Sequence, residues 1–383
     1  MSFYLDIGCS QLNKKGEELC GDSVEILRSE KSTVIVLSDG LGSGVKANIL
    51  SRITAKTAAT MLKMGCLIDE VIETMAETLP VCNVRHLAYS TFSIVQIFND
   101  GRAYLAEFDN PPAYLGYENE ILPLKREERT VRDKQVKETL LDLMPGNWIV
   151  LISDGVLHAG LGNVLNFGWG DRQLGRFIKE TAGQNLEAND WAEAITEKCN
   201  GLYGGLPGDD VSVVVIKIRD TRKLTVLVGP PRSRDDDRKA VGSLIRTEGR
   251  KVVCGGSTSN MVSRILLKEL VIDLSSFSED VPPTGTIEGI DLVTEGAITL
   301  YHALEMLKKG VKLRSLAGAR DGASLLLAEF LRADKVHFIV GLAVNQAQHY
   351  PGFPPACLLK NQTVRDIAEI LKSMGKEVTI EYL

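Results

Sequence analysis

At 383 residues the chain exceeds the roughly 250–300 residues at which one hydrophobic core stops growing, so two domains are expected. Apolar residues at 44% and charged residues at 25% are ordinary for a folded, water-soluble protein and exclude a disordered or collagen-like chain. A net charge of −6 without a basic strip excludes a general nucleic-acid or polyanion binder, and the dense cluster from Arg232 to Arg238 mixes both signs, as a solvated loop or helix start does.

In the first half, short β-branched runs alternate with turn signals: SVEIL at 23–27, TVIVLSDG at 33–40, STFSIVQIF at 90–98, RAYLAEF at 102–108, WIVLISDG at 148–155 and VSVVVIKI at 211–218. Their composition and length predict strands. Between the second and third lies a stretch of helix formers with apolar residues three and four apart, which predicts a helical pair broken near Gly65. The turn Asn99-Asp100-Gly101 joins two of the strands as a hairpin, which favours an antiparallel α+β sandwich flanked by helices over a parallel sheet. Residues 171–200 supply one or two further helices.

The pattern restarts around Asp220-Thr221-Arg222, which places domains at 1–220 and 221–383. LTVLVG, RKVVC, GIDLV, KVHFIVGLA and KEVTIEYL then alternate with helical stretches, which predicts a smaller α/β domain with a mainly parallel sheet. PPTG at 282–285 and YPGFPP at 350–355 read as loops. The halves show no internal repeat.

Seven cysteines stand without a CxxC pair, so disulfides are not expected. MSFYLDIGCS lacks a basic stretch followed by an apolar one, and no apolar run approaches the ~18 residues of a membrane span. The expectation is a cytoplasmic protein without a membrane partner.

Three aspartate turns follow or precede apolar strands: Asp39-Gly40 after VIVLS, Asp154-Gly155 after IVLIS, and Asp209-Asp210 before VSVVVI. Carboxylates at strand ends can converge on one sheet edge, where their repulsion is relieved by a hard divalent cation such as Mg²⁺ or Mn²⁺. Glycine after the aspartate lets the backbone approach closely, so the Gly40 carbonyl is a candidate ligand too. Any one of these motifs is equally a common turn or helix cap. Their order, together with Gly21-Asp22 upstream, is what points to a site.

GEELCGDSVEI, VLSDGLGSGVKA, STFSIVQIFNDG followed by FDNPPAYL, IVLISDGV and GDDVSVVVI resemble, in that order, the PP2C-type metal-dependent phosphatases, in particular their SpoIIE-like bacterial branch, over roughly residues 5–218. The resemblance implies two sheets flanked by helices, with a two-metal centre holding Mn²⁺ or Mg²⁺ at one edge. It implies that Asp39 bridges both cations, that Gly40 offers its carbonyl to one, and that Asp154 and Asp209 hold the second. Asp22 matches the upstream acidic position, and Asp210 is either an outer partner or exchanges roles with Asp209. The activity implied is hydrolysis of phosphoserine or phosphothreonine on a bacterial regulatory protein by a cation-activated water. Leu41 stands where eukaryotic members carry a histidine acid, which implies either that water protonates the leaving group or that turnover is modest. In this branch the helices corresponding to 45–80 act as a regulatory switch, and simple packing against a sheet is the competing account.

The five histidines form no metal-ligand spacing and read as structural or exposed, with His158 placed where it could approach Asp154. Lys14 and Lys15 read as a solvated loop that could meet a substrate phosphate. In the second half, Gly255-Gly256-Ser257-Thr258 between a strand and a helix is a candidate anion-binding turn, for which simple helix capping is the alternative. Glu288, Asp291 and Glu295 lie near a strand end, where α/β sheets tend to hold ligands. The expectation is a ligand-sensing or regulatory domain for a small anion, and a homodimer is compatible with it. Two other readings stand beside the phosphatase: a signalling adaptor with a vestigial first half, and a hydrolase of small phosphoesters.

Overall fold

In a computed structural model, residues 3–78, 90–131, 134–162, 164–277, 281–343 and 360–383 are described. They form two compact units, Met1–Asp220 and Thr221–Leu383.

The first unit is an antiparallel sandwich. It opens with β1 (Phe3–Leu12), β2 (Ser23–Arg28) and β3 (Ser32–Gly40), followed by α1 (Gly44–Lys63) and α2 (Ile68–Thr78). Then come β4 (Ser90–Phe98), β5 (Arg102–Phe108), β6 (Tyr114–Tyr117), β7 (Glu120–Leu122), β8 (Glu127–Val131), β9 (Lys134–Asp142) and β10 (Asn147–Ile152). The unit closes with α3 (Asp154–Leu157), α4 (Gly170–Ala182), α5 (Ala188–Leu202) and β11 (Val211–Asp220). One sheet runs β2-β3-β4-β5-β9-β8 and the other β1-β11-β10-β6-β7.

The continuous apolar runs of the central strands follow from burial on both faces. In β3, Ile35 and Leu37 face the opposite sheet while Val34 and Val36 pack under α1 and α2. In β10, Ile149 and Leu151 point inward, whereas Trp148, Val150 and Ile152 lie with Trp191 and Ile195 of α5. Each such side chain, taken from water, contributes about 1.5–3 kcal/mol before entropy is set against it. The helical pair breaks at Gly65, as the pattern predicts, because φ there is +93°. Five strands were not read from composition: β1 is half-polar, and β6 to β9 are short or rich in charge.

The second unit begins with β12 (Lys223–Val228), α6 (Asp237–Arg246), β13 (Arg250–Cys254) and α7 (Gly256–Leu266). It continues through β14 (Val271–Asp273), β15 (Thr284–Ile287), β16 (Ile290–Thr294), α8 (Ala297–Lys308), α9 (Gly322–Arg332), β17 (Lys335–Val340), α10 (Lys360–Ser373) and β18 (Glu377–Tyr382). The sheet order is β14-β15-β16-β13-β12-β17-β18, parallel from β16 to β18 with an antiparallel edge at β14 and β15. Side chains of α6 and α7 pack on one face, and those of α8, α9 and α10 on the other.

The expected loop at 282–285 is corrected in part: Thr284 and Gly285 already belong to β15, because they pair with Asp273 and Ile272. YPGFPP, Cys82, Cys357, His86 and His349 lie outside the described residues. Among the described residues no helix is long and apolar enough to cross a membrane.

Candidate metal centre

Both sheets of the first unit deliver carboxylates to one edge. Asp22 directly precedes β2 and Asp39 is the penultimate residue of β3, whose Ser38 pairs with Ser23 across the ladder. Asp154 opens α3 immediately after β10, and Asp209 and Asp210 immediately precede β11. The end of β3 is held from its other side by Ser90, whose hydroxyl donates to the Asp39 carbonyl at 2.9 Å.

The elements meet so closely that two glycines are required by space. A Cβ on Gly40 would lie 2.3 Å from the Ala47 carbonyl oxygen of α1, and one on Gly155 would lie 2.0 Å from that of Asp210. The Gly155 carbonyl in turn accepts from the Tyr203 hydroxyl at 2.8 Å.

The carboxylates differ in their surroundings. Asp22 and Asp210 are 3% and 4% exposed, and in each the Oδ2 atom is buried without a hydrogen-bond partner. The other Asp210 oxygen accepts the Lys14 main-chain N–H at 2.9 Å. Asp209 is half-exposed; its Oδ1 lies 3.6 Å from the Lys14 ammonium. Asp154, His158 and Asp209 each bring one ligand atom within 4.8 Å of the others, and His158 Nδ1 lies 3.9 Å from Asp154 Oδ2.

Burial, then the charges of Asp22, Asp154 and Asp209, push the Asp39 carboxyl up to about 9. Burial raises Asp22 to about 6, although the hydroxyls of Ser212 and Ser153 pull it back. The Ser153 oxygen accepts the Ser212 N–H at 2.9 Å, and the Ser212 oxygen accepts from Gln11 Nε2 at 2.8 Å. Burial and the Asp209 charge also raise Asp154.

Such a group of carboxylates, two of them with a buried oxygen lacking a hydrogen-bond partner, fits a divalent cation. Hard oxygen donors in this number suit Mg²⁺ or Mn²⁺. The sequence-predicted positions Asp22, Asp39, Gly40, Asp154, Asp209 and Asp210 all come to this edge. Ser153 and Ser212 were not singled out from the sequence, although each stands beside a predicted aspartate motif, in ISDG and DDVS.

The family model described as Stage II sporulation protein E (SpoIIE) matches residues 29–219. The first unit is a SpoIIE-family domain. A curated relative, stage II sporulation protein E of Bacillus subtilis (strain 168), is 23% identical over 225 residues, which cover 57% of this chain and 26% of that protein. The chain thus spans about a quarter of that relative's length. A solved structure of the PP2C phosphatase domain and a fragment of the regulatory domain of Bacillus subtilis SpoIIE aligns with a TM-score of 0.48 and 20% identity, over 57% of this chain and 63% of that one. The RsbU and RsbW domains of a Mycobacterium tuberculosis protein align with a TM-score of 0.45 and 15% identity, over 63% and 67%.

The other candidate residues separate. Lys15 is exposed, and its N–H donates to the Pro207 carbonyl at 2.8 Å. His337 is occupied by Thr379 at 2.8 Å and Glu381 at 3.5 Å, and His302 stacks edge-on to Tyr301. Glu288 pairs with Lys268, and Asp291 with Arg250 and the Lys251 N–H, at the start of β16. Only Glu295, past the end of β16, shares an edge with Gly255, Gly256, Ser257 and Thr258, so the expected acidic trio is divided between opposite ends of the strand.

Proposed function

We propose that the first unit removes phosphate from phosphoserine or phosphothreonine on a bacterial regulatory protein, with two divalent cations, Mn²⁺ or Mg²⁺. Asp22, Asp39, Asp154, Asp209 and the Gly40 carbonyl would hold them, with Asp210 behind. The observation that carries this reading is the convergence of these carboxylates from two sheets of a SpoIIE-family domain, two of them with buried oxygens lacking any donor. When bound, the cations would supply an acidified water at neutral pH and positive charge for the phosphoryl oxygens.

The chain's own groups then have distinct tasks. Asp39, the most strongly shifted carboxyl, is central to the charge balance and must lose its proton when cations enter. The hydroxyls of Ser153 and Ser212 lower Asp22, and the Lys14 N–H orients Asp210. The Lys14 ammonium, beside Asp209, would meet the substrate phosphate as it arrives. Leu41 offers no proton, so the leaving alkoxide takes its proton from solvent. Because Gly40 packs on Ala47, a tilt of α1 would move Asp39, and this contact supports an activity switch in α1 and α2. The second unit would bias that switch as a regulatory domain.

The test is phosphate release from a phosphoserine peptide with Mn²⁺, alongside a sugar phosphate. Preferred hydrolysis of the peptide is expected, with a loss of at least about 100-fold in Asp39→Asn. Absence of hydrolysis at every cation concentration would leave only a non-catalytic adaptor, and preference for the sugar phosphate would replace the protein substrate with a small one.

A further inference from the structure

In the second unit the chain order reverses at β12: β13 and β16 follow to one side, β17 and β18 to the other, all parallel. Connections diverge at such a reversal and leave a crevice outside the carboxyl ends of the strands. Here it is a cavity of about 650 Å³, well within the range of small-molecule sites and far larger than a bare phosphate needs.

One wall attracts anions. The N-termini of α7 and α8, helices of 11 and 12 residues, open on the cavity through Gly256 and Gly296. Gly255, at φ +123° and ψ 131°, adopts a conformation closed to other residues, and a Cβ there would lie 2.6 Å from Thr258 Oγ1. Lys360 places its ammonium between the ends of β12 and β17, where it donates to the Gly341 carbonyl. Gly229 leaves the room, since a Cβ there would lie 2.2 Å from Lys360 Nζ. Arg365, further along α10, adds a second cation.

The same rim also carries hydrogen-bond acceptors, since a Cβ on Gly296, next to Glu295, would lie 3.2 Å from Gly255 Cα. Glu295 lines the same cavity, and its Oε2 has no partner among the described residues. Thr258 is fully buried, lines the cavity, and its hydroxyl is likewise without a partner. Buried polar atoms are nearly always paired, so such a concentration implies partners that arrive from outside the chain. A simple dianion would satisfy the helix N-termini and Lys360 and be repelled by Glu295. A ligand that is anionic at one end and rich in hydroxyl donors at the other satisfies both.

We propose that this crevice binds a phosphorylated sugar, free or within a nucleotide. Its phosphate rests on the Gly255–Ser257 turn and Lys360, and its hydroxyls donate to Glu295 and Thr258. The proposal concerns binding alone and holds whether or not the first unit hydrolyses phosphoesters.

Calorimetric titration of the full chain in EDTA, which keeps cations from the aspartates of the first unit, tests it with AMP, ribose 5-phosphate, adenosine, inorganic phosphate and glutamate. One AMP or ribose 5-phosphate per chain is expected, at least about tenfold weaker in Glu295→Gln and in Arg365→Met. Circular dichroism melts identify a variant that fails to fold, and Thr258→Val, with the same expected weakening, then takes its place. Binding of both phosphates assigns the sugar phosphate in either setting; AMP alone assigns a nucleotide, and ribose 5-phosphate alone a free sugar phosphate. The proposal is overturned if no titrant binds, or if inorganic phosphate, adenosine or glutamate binds as tightly as the sugar phosphates. Equal binding by the folded variants overturns it as well.

Discussion

Asp39, at the end of β3 in one sheet, lies close enough to Asp154, at the start of α3 behind the other, for the Asp154 charge to raise its carboxyl. Two carboxyls that would both be anions in water stand so close only if a proton stays with them or a cation replaces it. The predictions below rest on that competition.

Without cations, Asp39→Asn removes the carboxyl on which the charges of Asp22, Asp154 and Asp209 converge. The variant is expected to melt about 2–6 °C above the wild type at pH 8 in EDTA, which corresponds to relief of roughly 1–2 kcal/mol of repulsion. It should also be nearly indifferent to Mn²⁺. Scanning calorimetry with and without the cation checks both.

The pH dependence follows from the raised carboxyls. Asp39 is pushed up to about 9 and Asp22 to about 6, above their ordinary value of 3.8, so the folded chain holds protons that the unfolded chain has released. That contribution is complete below the ordinary value and is lost as pH rises through the folded values. In EDTA the first unit should therefore lose stability from pH 5 to pH 9, measured by urea unfolding. Because cations compete with those protons, the increase in stability on adding Mn²⁺ should be larger at pH 8 than at pH 5.

Gly155→Ala forces a methyl group to within 2.0 Å of the Asp210 carbonyl oxygen unless the turn before β11 shifts. A cost of about 1–3 kcal/mol is expected in urea unfolding, together with weaker Mn²⁺ binding, since Asp209 and Asp210 move with that turn.

Away from the centre, Glu107 is 3% exposed, and both of its oxygens are held by Arg126, at 2.6 and 3.2 Å. Arg126→Met leaves that carboxylate buried with little beyond the Ala113 N–H, and about 3–5 kcal/mol should be lost. Adding Glu107→Gln to Arg126→Met should restore part of it, which chemical denaturation of the three variants would read.

How far the sequence carried depends on how many signals each element bears. β3, β10 and β11 were legible because burial on both faces writes an unbroken β-branched run ending in aspartate. β1 and β9 were not, since one half-buried face leaves GCSQ or KETL with no clear period, and the ladders of β1 with β11 and of β9 with β5 and β8 make them strands. The aspartates were legible as residues that could meet, but the order of burial among them was not. That Asp210 is buried while its neighbour Asp209 reaches toward Lys14 follows from the turn into β11. Glu288 and Asp291 looked equivalent to Glu295 in sequence, yet a five-residue strand carries them to opposite ends.

The most direct measurement is the number of Mn²⁺ ions taken up per chain by calorimetric titration, for the wild type and for Asp39→Asn. Two ions in the wild type are predicted, with at least about tenfold weaker uptake in the variant, because the carboxyl on which the charges of Asp22, Asp154 and Asp209 converge is lost. A wild-type chain that binds no Mn²⁺, or an Asp39→Asn chain that binds two as tightly, would contradict it.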